Sequence, residues 1–240
     1  MSEQIAFLWR HLPNLLWGFP QNRPGGLLLS ILLSSGAIVA GLVLALVLGS
    51  LQHSRFRIVR WFAGRIVWAL RGIPLIVLLI LLFQILGTGV LFGLELSSFW
   101  SAAVTLTLYA AAYQADIVRA GIGSVPQLLI DDARVLGASP FVVARTITFP
   151  YAFRTMRPAL ATQAITIFKD SSVVVVLGVA DLTTTARIVL GSDVTNAPFW
   201  VGTYLLVGFL YWIVAFGLSR LSERWFAVPG TTKHRELVST

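Results

Sequence analysis

Apolar residues fall along this chain in long blocks rather than at alternate positions. Five blocks reach the roughly 20 residues that a helix needs to cross a bilayer: Gly26–Leu51, Ile66–Leu86, Ser98–Val118, Pro158–Val179 and Phe199–Leu218. An earlier apolar stretch, Ile5–Phe19, is short and interrupted by Pro13. With Trp9 and Trp17 near its ends it predicts a helix lying in the headgroup interface. Within the first block Ala37, Gly41, Ala45 and Gly49 recur once per turn, a small-residue stripe that lets two helices approach closely. The pattern predicts an all-α integral membrane protein of about five transmembrane helices. One membrane domain, 26–218, follows an N-terminal segment, 1–25, and precedes a tail, 219–240. No internal repeat or low-complexity tract stands out.

Between the third and fourth blocks the pattern changes. The stretch "IDDARVLGASPFVVARTITFP", residues 130–150, carries Asp131, Asp132, Arg134 and Arg145 between strongly apolar flanks. Ser124 and Gln127 have the spacing of a capping box. Leu129, Ala133 and Leu136 form one apolar stripe, with the charges elsewhere on the helix. Gly137 suits the left-handed position that closes a helix. Ser139–Pro140 then starts a second short helix, and Pro150 is expected to end it. Two short helices joined at a glycine form a rigid knob over residues 124–150. The alternative is an amphipathic loop resting on the lipid surface.

Composition confirms the membrane reading and removes others. The chain is 57% hydrophobic and 12% charged, with a mean hydropathy of +0.83, which does not suit a soluble globular domain. The net charge of +8 suggests orientation in a bilayer rather than binding to nucleic acid. Thirteen of the 18 basic residues lie on one side: Arg55, Arg57, Arg60 and Arg65; Arg119, Arg134, Arg145, Arg154 and Arg157; and Arg220, Arg224, Lys233 and Arg235. Arg10, Arg23 and Arg187 lie on the other. By the positive-inside rule the crowded side is cytoplasmic, so the N-terminus is expected outside, the C-terminus inside, and the knob in the cytoplasm. The first apolar run is broken by Arg10 and His11, unlike a cleavable signal peptide. There is no cysteine, and His11, His53 and His234 lack ligand spacing, so no metal site is expected. No phosphate-binding loop of the form G-x-x-x-x-G-K-[ST] occurs, nor a nucleophile–base constellation. The chain is therefore read as non-catalytic and free of cofactors.

The charges inside the blocks are the remaining candidates. Lys169 and Asp170, followed by Ser171 and Ser172, sit about ten residues from either end of the fourth block. Each charge at a helix centre costs about 2.5–3.5 kcal/mol on the insertion scale. Adjacent residues point about 100° apart, so the two cannot simply face each other on a regular helix. They either meet a substrate path or water-filled cavity, or pair structurally with another span or subunit. Arg71, beside Gly72 and Pro74, either lines a cavity opened by a proline kink or snorkels to the headgroups. Asp116 and Arg119 have the spacing of a helix-end ion pair, and Asp116 and Arg71 join Lys169, Asp170, Ser171 and Ser172 as candidates for the substrate path.

Several motifs carry a family resemblance. Asp131-Asp132-Ala133, Gly137 four residues on, then Ile147 and Pro150 match the spacing EAA, three residues, G, nine residues, I-x-L-P. This resembles the cytoplasmic signature of permease subunits in bacterial ATP-binding-cassette importers. Asp131, Asp132 and Phe149 depart from its Glu, Ala and Leu. "RGIPLIVLLILLF" (71–83), "AAYQADIVRAGIGSVP" (111–126) and "FKDSSVVVVLGVADL" (168–182) are similar to span motifs of the polar amino acid uptake branch. The resemblance implies the type I importer permease fold, in the bacterial inner membrane. It implies that Asp131, Asp132, Ala133, Gly137, Ile147 and Pro150 couple to partner ATPase subunits, which bind the ATP and Mg. It also implies a second permease subunit, identical or related, and a periplasmic amino-acid-binding protein. Another small solute is the alternative cargo. An ion-coupled transporter using Lys169 and Asp170 as a relay is a third reading, but it leaves the 131–150 pattern unexplained.

Overall fold

Helix α2 (Gly26–Leu51) occupies the first apolar block from end to end, and its small-residue stripe decides what it packs against. The structure is a computed structural model that describes residues 2–21, 24–88, 93 and 95–226; Arg23 and residues 227–240, part of the expected tail, lie outside these. The stripe meets α5 (Ser98–Gly123). A Cβ placed on Gly41 would lie 2.9 Å from Ala110 Cβ, and one on Gly49 would lie 2.6 Å from Val118 Cγ1 and 2.8 Å from Ala115 O. The two helices are thus nearly in contact at Gly41 and again at Gly49, about two turns further on. Gln114, buried on α5, donates from Nε2 to Ile38 O of α2 at 3.3 Å.

Three segments among the described residues are long and apolar enough to cross a membrane: Gly26–Leu51, Pro140–Leu177 and Val194–Glu223. A bent pair, α3 (Arg57–Gly72) with α4 (Leu75–Gly87), makes a fourth if taken as one span. α5 is long enough but more polar, with Thr105, Thr107, Gln114, Asp116 and Arg119. It is the central strut, with eleven buried residues, so lipid does not select its composition.

The expected span Ile66–Leu86 is not one helix. Its axis turns by 107° between α3 and α4. Pro74 lacks an N–H and pushes the preceding residue out of the helical region; Ile73 is extended at φ −97°, ψ 128°. α3 is amphipathic, burying Ala63 and Val67 while Ile58, Trp61, Phe62 and Trp68 are exposed.

The fourth span also differs from expectation. The helical path begins at α7 (Pro140–Val143), widens through a π-helical turn at Ala144–Thr148, and continues as α8 (Phe149–Asp170) and a 3-10 segment, Ser171–Leu177. Pro150 stands in the first turn of α8 rather than ending a helix. The wide turn just before it, closed by Phe149 N–H to Ala144 O, makes room for the ring and the missing donor. Gly178, at φ +69°, closes the 3-10 segment. A short helix that the hydrophobic pattern does not announce, α9 (Leu182–Gly191), follows. α10 (Trp200–Phe226) runs beyond the expected end at Leu218.

α1 (Ser2–Trp17) is more than an interfacial float. Trp9 and Trp17 are exposed, but Leu15 is fully buried in a cluster with Leu182, Ala186 and Val207. Phe7 stacks on Phe199 at 4.5 Å.

The α2–α5 contact has a direct test. Gly49→Val forces branched carbons into Val118 and the Ala115 carbonyl, and overpacking of this kind costs about 1–3 kcal/mol. The variant's thermal midpoint in detergent should fall clearly below that of Gly36→Val, where a Cβ meets nothing within 4 Å. Equal midpoints would contradict the close packing.

Candidate functional site: an external knob and two separate polar places

The knob stands where the sequence places it. α6 (Gln127–Val135) buries none of its residues. Gly137, at φ +82°, closes it with two bonds: its own N–H to Arg134 O at 2.9 Å, and Ala138 N–H to Ala133 O at 3.0 Å. That pair is the Schellman arrangement, which needs a left-handed residue. Ser139 then caps α7, its Oγ accepting from Val142 N–H at 3.4 Å. Ser124 does not cap α6 as expected; it ends α5, donating its Oγ–H to Gly121 O at 2.8 Å, and Pro126 occupies the cap position of α6. Gln127 instead donates to Asp131 Oδ1 at 3.0 Å, and Arg134 pairs with the same oxygen at 3.4 Å. Asp132 and Pro150 are exposed, while Ala133 is half-buried. Ile130 and Ile147 pack on the cluster of Val125, Ala152 and Met156, which fastens the knob to the bundle. Its outer side presents Leu128, Val135, Leu136 and Phe141, the middle two 87% exposed.

The span charges separate into two places. Lys169 and Asp170 form the last turn of α8, where the α-helix gives way to the 3-10 segment. They are thus at a helix end, not the middle of a regular helix. Ser171 is buried and donates from Oγ to Phe168 O at 2.7 Å; Ser172 is half-buried. Lys169 lines an open groove of about 440 Å³ between α8 and α10 with Ile165, Gly208, Tyr211, Trp212 and Phe216. It takes part in none of the ion pairs among the described residues, which are Arg71–Asp116, Asp116–Arg119 and Asp131–Arg134.

Arg71 and Asp116 come together elsewhere. The Arg71 guanidinium contacts the Asp116 carboxylate and lies over the Tyr113 ring, 5.1 Å from its centroid. Arg119 reaches the other carboxylate oxygen at 3.4 Å. The expected i, i+3 pair is therefore present but shared. The same carboxylate ties the end of α3, just before the Pro74 bend, to α5. Arg71 is held by a partner, so snorkelling alone does not describe it.

Sequence reasoning missed Asp181. It is fully buried, caps α9 by accepting from Thr184 N–H at 2.8 Å and Thr183 N–H at 3.2 Å, and accepts from Tyr211 Oη at 3.2 Å. Ser30 Oγ accepts from Leu182 N–H at 3.1 Å and lies 3.3 Å from Tyr211 Oη. The network joins α2, α9 and α10. The signal was present as Asp181 followed by Thr183-Thr184, an N-cap pattern, hidden beside a continuous apolar run.

The shared carboxylate makes a measurable prediction. Arg71 is 41% and Asp116 25% exposed, so solvent screening limits the pair to about 0.5–1 kcal/mol of coupling. In unfolding of the reconstituted protein, Arg71→Met and Asp116→Asn should each destabilise. The double variant should be less destabilised than their sum; strict additivity would show that the contact contributes nothing.

Residues 37–226 match the family model described as the binding-protein-dependent transport system inner membrane component. The chain is 34% identical over 202 residues to the glutamate/aspartate import permease protein GltK of Escherichia coli O6:H1, covering 82% of this chain and 88% of that one. It is 31% identical to the L-cystine transport system permease protein TcyB of Bacillus subtilis, over 81% of each. Among solved structures, one described as an amino acid ABC transporter with histidines superposes with a TM-score of 0.79 at 25% identity, over 92% of this chain and 97% of that chain. A chain of the MetNI methionine ABC transporter, inward facing, shares the fold with a TM-score of 0.61 at 21% identity, over 93% and 98%. The chain belongs to the family of binding-protein-dependent transport system inner membrane components, the permease subunits of ATP-binding-cassette importers, and has their type I fold.

Proposed function

We propose that this chain is the permease subunit of an ATP-driven importer that carries polar L-amino acids across the bacterial inner membrane. The observation that carries this reading is the knob: two helices closed at Gly137, fastened by Ile130 and Ile147, with apolar residues facing outward from a membrane bundle. Such a surface is suited to receive a partner's groove. Glutamate, aspartate and cystine appear in the names of similar permeases, which supports polar amino acids as cargo.

In this reading Asp131, Asp132, Ala133, Gly137, Ile147 and Pro150 belong to the coupling element, and partner ATPase subunits bind the ATP and Mg. A second permease subunit completes the pathway, and a periplasmic amino-acid-binding protein delivers the cargo. The basic loops face the cytoplasm, with the N-terminus outside and the C-terminus inside. Lys169 is the residue assigned to the pathway, with Asp170, Ser171 and Ser172 shaping the helix end around it. Its ammonium opens onto a groove and is in no ion pair among the described residues, which leaves it open to a substrate carboxylate. Arg71 and Asp116 neutralise each other and are assigned to holding the bend.

Two variants test the reading in proteoliposomes containing the whole complex. ATP, not an ion gradient, should drive uptake of labelled amino acid, and at least one of glutamate, glutamine, histidine and arginine should compete strongly. Gly137→Val places a branched residue in the left-handed region, at roughly 1–2 kcal/mol of strain. It should abolish ATPase co-purification while leaving the permease inserted. Lys169→Met should cut transport while leaving ATPase assembly and membrane abundance intact. Normal transport by either well-expressed variant would overturn the corresponding assignment, and no competition from any of the four would remove the polar amino acid cargo.

A further inference from the structure

Between α3, the C-terminal end of α2 and the end of α5 lies a second cavity, of about 410 Å³, that the transport reading does not use. Gln52, Arg60, Trp68, Arg71 and Arg119 line it together with Asp116. Three guanidinium groups thus face one carboxylate, and that carboxylate is already engaged by Arg71 and Arg119. No further carboxylate comes from the local chain: between Gln4 and Leu94 the sequence contains no Asp or Glu. A second observation points the same way. The side-chain nitrogen of Gln52, a donor, is shielded from water and has no hydrogen-bond partner among the described residues. Among the described residues the cavity therefore carries excess positive charge and an unused donor, with no acceptor beyond the engaged Asp116 to match them.

The surroundings say where the acceptor comes from. Ile58, Trp61, Phe62 and Trp68 are exposed on α3, and Arg65 lies over the Trp61 and Trp68 rings at 5.4 and 5.9 Å. Exposed tryptophans beside arginines are the composition of a helix at the level of lipid headgroups. We infer that this cavity binds the phosphate of an anionic phospholipid. Arg60 and Arg119 grip the phosphate, Gln52 donates to it, and the acyl chains run along the apolar side of α3. Arg71 stays with Asp116. The chemistry recognised is a phosphodiester; free inorganic phosphate shares the charge but not the apolar contact. The inference rests on reading α3 as a helix at the membrane surface, and not on any assigned cargo.

Native mass spectrometry of the purified full-length permease tests it. Phosphatidylglycerol and phosphatidylcholine with the same acyl chains are offered together. The wild type should retain phosphatidylglycerol preferentially, and the preference should fall about fivefold for each arginine removed in Arg60→Gln and Arg119→Gln. Arg60→Lys with Arg119→Lys should keep most of it, and all variants should elute as the wild type on gel filtration. Equal retention of both lipids by the wild type would overturn the inference. So would a preference unchanged in the double glutamine variant. Displacement of phosphatidylglycerol by excess inorganic phosphate would assign the cavity to the free anion instead. Because the readout is lipid retention, a failure here leaves the transport assignment untouched, and the converse also holds.

Discussion

The near-contact of α2 and α5 is the constraint on which the bundle depends. In lipid, two apolar helices gain little from the hydrophobic effect, so close packing of small residues must hold them. Gly41 and Gly49 bring α2 onto Ala110, Ala115 and Val118 with no space for a side chain. This leaves α5 wrapped by other helices over eleven buried positions. A strut so protected can hold Gln114 in its middle and Asp116 and Arg119 toward its end. The polar chemistry of the bundle is therefore attached to its most enclosed helix.

A second constraint decides where the chain departs from regular helix. Backbone groups freed inside a membrane must find partners within the protein. The bend at Ile73–Pro74 lies beside Arg71, which Asp116 holds against α5. The change to 3-10 geometry at Ser171 is supported by that serine's bond to Phe168 O. The start of α9 is supported by the Asp181 carboxylate and by Ser30, which accepts from the Leu182 N–H. Breaks and buried polar side chains coincide because each makes the other tolerable.

These constraints explain what was readable in the sequence. The run Gly26–Leu51 is apolar on all sides and unbroken, and its boundaries are correct to the residue. Gly137 announced its left-handed turn because only local geometry was involved. The elbow was not anticipated, although Pro74 was visible, since the hydrophobic pattern continues across it and a kink and a 107° turn look alike in one dimension. Pro150 was misread as a stop, because the π-helical turn that accommodates it involves residues with no special composition. The sequence offers Asp116 as a partner of Arg119 and as a candidate for the substrate path; its pairing with Arg71 spans 45 positions and depends on the elbow. Asp181 is hidden for a similar reason, since its side-chain partner Tyr211 is remote in sequence.

The continuity of the fourth span bears on how a knob can influence a distant groove. From Pro140 to Leu177 the chain is helical without interruption over 38 residues. At 1.5 Å per residue, the stretch from Pro140 to Lys169 is a rod of about 40 Å, long enough to cross the hydrocarbon core. The wide turn at Ala144–Thr148 lies next to the knob, with Ile147 packed on the cluster of Val125, Ala152 and Met156. Pro158 inside α8 is a second place where the ladder lacks a donor before Lys169. A displacement of α7 by a docked partner therefore has two places to flex, the wide turn and Pro158, with regular helix from Pro158 to Asp170 beyond them. Motion would reach Lys169 as a tilt of that last segment. The groove beside Lys169 is walled by α10 across from α8, so a tilt of α8 against α10 changes its width directly. In the proposed importer, coupling then needs no chain of side-chain rearrangements between knob and groove, because the rod carries it.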